Sequence, residues 1–567
     1  MAATIGYSMS EVPRFVQYTS PVTNNGPSSG GPLPLNLMAR IIGYLDDPGD
    51  IARVTRTSRL LYYMTLPQLY QRVALRSYAE TRYVNGRPEG FGSGSPFMMA
   101  LNGLVTGSHA ALVQQLQLRG TWKEVGVEDF AKGRVPDNSM MLNILLRACV
   151  DRMVKLQAFC WELGCKPLKT TYQGLAARTS LTILTLRFPS SRLPRPAVII
   201  PPMPSLLVFK AFDIDPLCFP DDVSMLLLGS KQLVDVRLHF SPRMRQEAEP
   251  TLSLETYWGR CFKADYFPKL KHIAMQNWYG PREDSFYALF DRNTALTSMA
   301  FLDTFGGAQG GSANVYVDDT WRTVPNTLIQ TFRTIRFNEF APQHVEMIKH
   351  THGLQNVYVV SDRKGKSVKT CVSPSSDYIT PDDSPGTDAR SPGAKAEIED
   401  LGHKYIHAFM HQHGSTLRHL LLSDQWPLSE VECSDLIRRC PNLTQLGLAC
   451  GFSTIESLRL LLPFLPNLTA IRVLDNEYMR IAEQTKNDEE SMQDMGRDLY
   501  NMGADKMEWV GAGKRVLKVG DRFLAQKRNG GTEWRRRVTF AGLEEVEHVE
   551  IWGMDRLDCM IDKGAIG

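Results

Sequence analysis

Apolar residues recur along most of this chain in a six-residue pattern, L-x-x-L-x-L with conservative replacements. The pattern begins faintly at Val113 (VQQLQL) and Leu156 (LQAFCW) and is clear from Leu181, Leu233, Leu270, Leu296, Phe332, Leu354, Leu417, Leu443, Leu468 and Val546 (VEHVEI), with a looser copy at Leu206. Six of the intervals are 25, 25, 27, 26, 26 and 25 residues, a period that random alternation does not keep. Each copy predicts a short strand whose outer apolar residues point into a stack, followed by a helical return of about twenty residues. No copy can bury its strand alone. The expected class is therefore α/β, a solenoid over residues 100–476 whose parallel sheet lines a concave wall. Prolines halt the return just before several strands, as in Pro204-Ser-Leu206, Pro268-Lys-Leu270, Pro441-Asn-Leu443 and Pro466-Asn-Leu468.

Upstream, residues 33–75 form a compact apolar block with a different rhythm. Leu37, Ile41 and Leu45 fall at i, i+4 and i+8, one face of a helix. Asp46-Asp47-Pro48-Gly49 predicts a turn, and Asp50 stands as the expected N-cap of a second helix carrying Ile51, Val54, Ser58 and Leu61. Pro67 is expected to open a third short helix with Leu69 and Tyr70. A module this small rarely buries enough surface to stand alone, so it needs a partner or must close a longer fold as a cap.

The block resembles an F-box, the adaptor-binding module of SCF-type cullin ubiquitin ligases. The resemblance rests on Leu33-Pro34, the series Leu37, Ile41 and Leu45, the Asp50-Ile51 start, and Leu69-Tyr70; Asn36 stands where the family often has an acid, and Tyr70 where it often has Trp. Independently, Cys440-Pro-Asn-Leu443-Thr-Gln-Leu446-Gly-Leu448-Ala-Cys450 resembles the cysteine-containing leucine-rich repeat that often accompanies F-boxes. Together the two imply a small helical F-box followed by a leucine-rich-repeat solenoid, in a substrate receptor without chemistry of its own. Leu33, Pro34, Leu37, Ile41, Leu45, Ile51, Leu69 and Tyr70 would meet the Skp-family adaptor that leads to the cullin, and the repeats would hold a target protein. The alternative is a repeat scaffold that does not direct degradation.

Strand geometry selects the target surface. The third and fifth positions of each copy project from the concave face, which names Asp235, Arg237, His272, Thr334, Arg336, Asn356, Tyr358, His419, Gln445 and Arg472. The three arginines would suit an acidic or phosphorylated segment if they align on neighbouring strands; otherwise these polar residues simply keep an uncovered wall soluble.

Composition narrows the rest. Across 567 residues, 64 Lys plus Arg face 61 Asp plus Glu, so bulk attraction to nucleic acid or anionic membrane is disfavoured. No apolar run reaches the roughly 18 residues a bilayer span needs. The first residues, MAATIGYSMSEVPRF, lack a secretory pattern, which makes cytosol or nucleus the expected compartment, and the ten scattered cysteines are expected to be free thiols. Residues 1–32 are expected to be a disordered leader. Residues 361–399 are expected to be a disordered insertion, in which Ser373, Thr380, Ser384 and Ser391 precede proline and would suit proline-directed kinases. From 477 to 567 a charged helix, a hairpin around Asn529-Gly530-Gly531 and the last repeat-like strand are expected to close the C-terminal end.

Three constellations invite chemistry. His403, His407 and His411 share a helical face beside His413, but His403 and His411 lie about 12 Å apart along the axis, too far for one ion, and no companion ligands have zinc spacing. Gly511-Ala-Gly513-Lys514-Arg515 lacks the spacing and the Ser or Thr of a phosphate loop. Lys527, Arg528, Arg535, Arg536 and Arg537 beside Trp534 could grip a nucleic acid or serve nuclear import, but alternate strand residues face opposite ways, so a solvated hairpin is expected. No metal, cofactor or active site is expected.

Overall fold

The computed structural model describes residues 34–560 apart from 85–86, 90–94, 190–197, 216–217, 219–221, 242–254, 281–294, 304, 309–310, 314–330, 339–341, 361–391, 452–461, 475–488, 514 and 527–529. The leader 1–32, Leu33, the four Ser/Thr-Pro sites, Lys514, Lys527 and Arg528 lie outside the described residues. The chain divides into two units, Met1–Leu69 and Tyr70–Gly567.

The first unit is helical: α1 (Leu35–Gly43), α2 (Pro48–Val54) and most of α3 (Arg59–Gln71). The N-cap of α2 is Asp47 rather than Asp50, three residues upstream, because Pro48 fills the first helical position; the Asp47 carboxylate accepts the Asp50 N–H at 3.1 Å. Ser58 and Leu61 belong to α3, where the Ser58 hydroxyl accepts the Leu61 N–H at 3.1 Å. Pro67 lies inside α3 rather than at its start. Ile42 and Ile51 are buried, and Gln68 Nε2 donates to the Leu45 carbonyl at 2.7 Å, tying α3 back to the end of the first helix.

The second unit is mixed α/β, built on a mostly parallel sheet of 17 strands. In chain order these are β1 (Arg72–Ser77), β2 (Gln115–Gly120), β3 (Ala158–Leu163), β4 (Ile183–Arg187), β5 (Val208–Ile214), β6 (Asp235–Phe240), β7 (His272–Gln276) and β8 (Ser298–Leu302). There follow β9 (Thr334–Phe337), β10 (Asn356–Val359), β11 (His419–Leu421), β12 (Gln445–Cys450), β13 (Ala470–Leu474), β14 (Trp509–Ala512), β15 (Arg515–Gln526) and β16 (Thr532–Ala541); the two-residue strand Pro427–Leu428 runs beside β12. From β1 to β14 each strand pairs in parallel with the next.

Every copy of the pattern from Val113 to Leu468 supplies one of these strands. Its first, fourth and sixth residues are buried against the return helices, as Leu443, Leu446 and Leu448 are, in one continuous core. The register carries the fourth positions through the stack without a slip: Val236, Ile273, Met299, Ile335, Val357, Leu420, Leu446, Ile471 and Val510 stand side by side. Threonines at the second position bind the rim, the Thr469 hydroxyl donating to the Thr444 carbonyl at 3.0 Å and Thr444 to Arg418 at 3.1 Å.

Four expectations change. The helical unit stops at Leu69, because Tyr70-x-x-Val73-x-Leu75 is a degenerate repeat that begins the sheet as β1; Tyr70 stacks on His109 at 4.5 Å, within the second unit. Met507-x-x-Val510-x-Ala512 is another, forming β14. Residues 392–399 are helical rather than part of a loop, since Pro392 opens a helix that runs to Ala408. Val546 begins no strand: the free edge of β14 is taken by the antiparallel hairpin β15–β16, and residues 543–553 instead form a 3₁₀ turn and the short helix Glu550–Gly553. Nine cysteines among the described residues are free, and burial pushes thiols such as Cys433 and Cys440 up to about 12, so they are packing groups rather than nucleophiles.

Candidate functional site

Because strand residues alternate, the third, fifth and seventh positions of the repeats share the face turned away from the return helices. All ten residues assigned to a target surface lie on it. The fifth positions form one row, in order Lys210, Arg237, Ala274, Ala300, Arg336, Tyr358, Leu421, Gly447, Arg472 and Gly511, in which four cations are spaced by small and apolar residues. Arg237 and Arg336 are three strands apart and Arg336 and Arg472 four, about 14 and 19 Å at the usual strand spacing. The arginines therefore share a row without standing on neighbouring strands, and no single phosphate can touch two of them. Lys210, beside Arg237, was not legible as part of the set, because the copy at Leu206 is loose.

This face is not left to solvent. Residues 546–560 leave the end of the hairpin and run back across the row from β14 to β5. Arg472 Nη1 donates to the Ile551 carbonyl at 3.0 Å and to Asp555 Oδ2 at 2.9 Å, while Gln445 Oε1 accepts the Ile551 N–H at 3.1 Å. Glu550 takes the Tyr358 hydroxyl and His419 Nδ1. Arg336 donates to the carbonyls of Met554 (2.9 Å), Asp558 (2.8 Å) and Arg556. Gln276 receives the Cys559 N–H at 2.9 Å and gives its own amide hydrogen to the Leu557 carbonyl at 2.9 Å, as a neighbouring strand would. Lys210 Nζ reaches the Met560 carbonyl at 3.2 Å.

Apolar contacts fill the spaces between. Val546, Val549, Ile551, Trp552 and Met554 are buried with Tyr358, Leu421, Ala449, Ala470 and Trp509, and Cys559 and Met560 with Ala274 and Leu302. Gly511 makes room for the largest of these side chains: a Cβ there would stand 2.6 Å from the Trp552 ring. Gly511 is thus the seat of this tryptophan rather than part of a phosphate cradle. Burial lowers Arg336 to about 10, and burial and the Glu550 carboxylate together raise the Tyr358 hydroxyl well above its ordinary value. The remaining nominated residues bind one another: Arg237 forks onto Asp235 (2.7 Å), and Asn356 Nδ2 donates to Thr334 Oγ1 (3.0 Å); His272 is half-buried at the start of β7.

The first unit places its nominated residues differently. Leu37 and Ile41 are 41% and 55% exposed, together with Leu35, Tyr44, Leu60 and Tyr63, and Pro34 is exposed too. Leu45 and Leu69 are half-buried. Ile51 is buried, 4% exposed. Tyr70 belongs to the sheet unit.

The other clusters disperse. His413 is buried, accepting the Leu354 N–H at Nδ1 (3.4 Å) and meeting the Ile348 carbonyl at Nε2 (3.0 Å); His407 and His411 stack on each other, and His403 pairs with Glu432. Among the described residues no group of three or more His, Cys, Asp or Glu could hold a metal ion. Arg536 is buried beneath the helix Glu489–Asn501, where it donates to the carbonyls of Gly520, Ala504, Asp505 and Met507 at 2.7–3.0 Å. Arg535 binds Gln493 and Arg537 lies over Phe523, so the three do not form one basic surface. No helix among the described residues is long and apolar enough to cross a membrane. No family model and no curated protein matches the chain.

Proposed function

We propose that this chain is the substrate-recognition subunit of an SCF-type cullin ubiquitin ligase, working in the cytosol or nucleus: an F-box docks on the Skp-family adaptor, and a leucine-rich-repeat solenoid presents a target protein for ubiquitin transfer by the rest of the complex. The observation that carries the reading is the exposure of Leu37 and Ile41 on a helix whose opposite side buries Ile42. A lone surface leucine is ordinary, but seven large apolar side chains are exposed within the 29 residues 35–63, a concentration of the kind that marks a docking site. The repeat period and the parallel stack support the second half of the reading.

The test is capture of purified Skp-family adaptor by the full-length chain and by the same chain carrying Leu37→Asp and Ile41→Asp. Both side chains stand in solvent, so the variant is expected to keep the wild-type circular dichroism while losing adaptor binding at least 100-fold. Equal capture by the folded variant would remove the assignment.

One observation favours a second reading, a repeat scaffold that does not direct degradation: the face nominated for a target is already engaged by residues 546–560. On that reading no partner's lifetime depends on this chain, which pulse-chase of captured partners with and without it would decide.

A further inference from the structure

The segment 546–560 is held through its backbone as well as through its side chains. Eight of its backbone N–H and carbonyl groups are met by side chains of the face: the N–H groups of Ile551 and Cys559, and the carbonyls of Ile551, Met554, Arg556, Leu557, Asp558 and Met560. The donors and acceptors come from strands β5 to β13, far apart in sequence yet facing one peptide. A mere seal would need only apolar contact. The segment meets these groups as a short helix followed by turns, and amide and guanidinium groups placed to satisfy its peptide units add directed hydrogen bonds that tell one peptide from another. Several side chains of the segment are also met individually: Glu550 by Tyr358 and His419, Trp552 by the space over Gly511 and the Arg472 guanidinium 5.6 Å from its ring, Asp555 by Arg472, and His548 by the Trp509 ring.

Charge agrees. The segment carries four carboxylates and one arginine, a net −3 with His548 neutral. Among the described residues at the third and fifth positions beneath it, Lys210, Arg237, Arg336 and Arg472 stand with one carboxylate, Asp235, which makes 4 − 1, a net +3. The face also carries Tyr358, Leu421, Leu474 and Trp509, which the segment buries, so a segment that replaces it must cover this apolar groove as well as match the charges.

We infer that residues 546–560 are an intramolecular ligand, and that the face beneath them is a peptide site for an acidic, tryptophan-bearing segment of a target protein, which binds by displacing the strap. The pattern it reads is a carboxylate, a bulky residue, a tryptophan and, three residues on, a second carboxylate. This rests on the receptor reading only in naming a target as the source of the segment. Tethering gives the strap a high effective concentration, so the resting chain is self-occupied and an external segment must compete.

The experiment uses full-length protein and a fluorescein-labelled peptide of residues 546–560, followed by anisotropy. The peptide is expected to bind the Trp552→Ala/Asp555→Ala chain at least about ten-fold more tightly than the wild type, because the competent state is no longer hidden. A peptide carrying Glu550→Lys and Asp555→Lys is expected not to bind, and Arg472→Glu in the released chain is expected to abolish binding. Hydrogen exchange over 546–560 is expected to quicken in the variant. Equal affinity for both chains overturns the proposal, and so does unchanged exchange, which would mean that Trp552 and Asp555 do not hold the strap. Should the double variant fail to fold, Asp555→Ala alone, which leaves every residue of the face intact, carries the same comparison. Adaptor capture is measured separately, so loss of peptide binding with capture intact defeats this inference alone.

Discussion

Replacing Arg336 with methionine tests whether the strap is held by directed hydrogen bonds or only by apolar contact. The guanidinium is 5% exposed and donates to three carbonyls, those of Met554, Asp558 and Arg556. Hydrogen bonds from a charged donor contribute about 1.5–3 kcal/mol each, so three amount to roughly 4–9 kcal/mol. Against this stands the cost of burying the cation: its descent from 12.5 to about 10 corresponds to about 3 kcal/mol. Methionine keeps most of the volume and removes that cost, so the net loss is expected near 3 kcal/mol, or about two orders of magnitude in strap docking. The assay is hydrogen exchange of the 546–560 amides by mass spectrometry, with 443–450 of the helix-facing core as an internal reference. Protection of the strap is expected to fall about 100-fold while the reference barely moves. Arg336→Lys, which keeps a charge but cannot fork onto three carbonyls, is expected to fall between. A loss of protection below about three-fold in the methionine variant would refute the reasoning for Arg336 and leave the attachment to apolar contact and the other hydrogen bonds of the face.

Three further outcomes follow from groups outside the strap. Arg536→Ala deprives the carbonyls of Ala504, Asp505, Met507 and Gly520 of their donor; a loss of about 3–5 kcal/mol is expected, read as a lower urea midpoint and early exchange over 489–541, while unchanged exchange there would show the arginine to be ornamental. Lys166 and Asp222 form an ion pair with both side chains at most 5% exposed, so Asp222→Asn is expected to cost about 3–5 kcal/mol, whereas Lys166→Met with Asp222→Leu is expected to be nearly neutral in urea denaturation. Burial, aided by the charge of His352 and opposed by the Ile348 hydrogen bond, lowers His413 from 6.5 to about 4. Between those values the unfolded chain takes up a proton that the folded one refuses, so stability present above pH 6.5 is lost as pH falls toward 4, by up to about 3 kcal/mol. His413→Gln is expected to flatten that part of the urea-midpoint profile against pH, and an equally steep profile would assign the acid sensitivity to other groups.

The repeats were legible in the sequence because their information is local. Leucines at the first, fourth and sixth positions, prolines before the strand and a period near 26 residues are all read from neighbouring residues, and each such copy from Val113 to Leu468 became a parallel strand facing the helices as its pattern requires. The apolar series in residues 34–69 likewise foretold helices, with caps misplaced by a few residues because proline at the first helical position moves the cap upstream. Degenerate copies were lost: Tyr70-x-x-Val73-x-Leu75 and Met507-x-x-Val510-x-Ala512 replace leucine at the decisive positions, yet the growing sheet edge recruits them by backbone pairing, which is indifferent to side chains. The same indifference misled the reading at Val546, where a strand-like pattern met an edge already taken by β15.

Which residues share the helix-free face was therefore written in the sequence, since alternation along a strand is fixed by backbone geometry. What covers that face was not. Lys210 meets Met560 across 350 positions, and Gln276 meets Cys559 across 283. Contacts of that span leave no periodicity in either partner, and the groups that make them, peptide carbonyls and amides, are the same at every residue. Only the tertiary structure, by ordering the strands and returning the chain across them, could decide that the wall is occupied and by what.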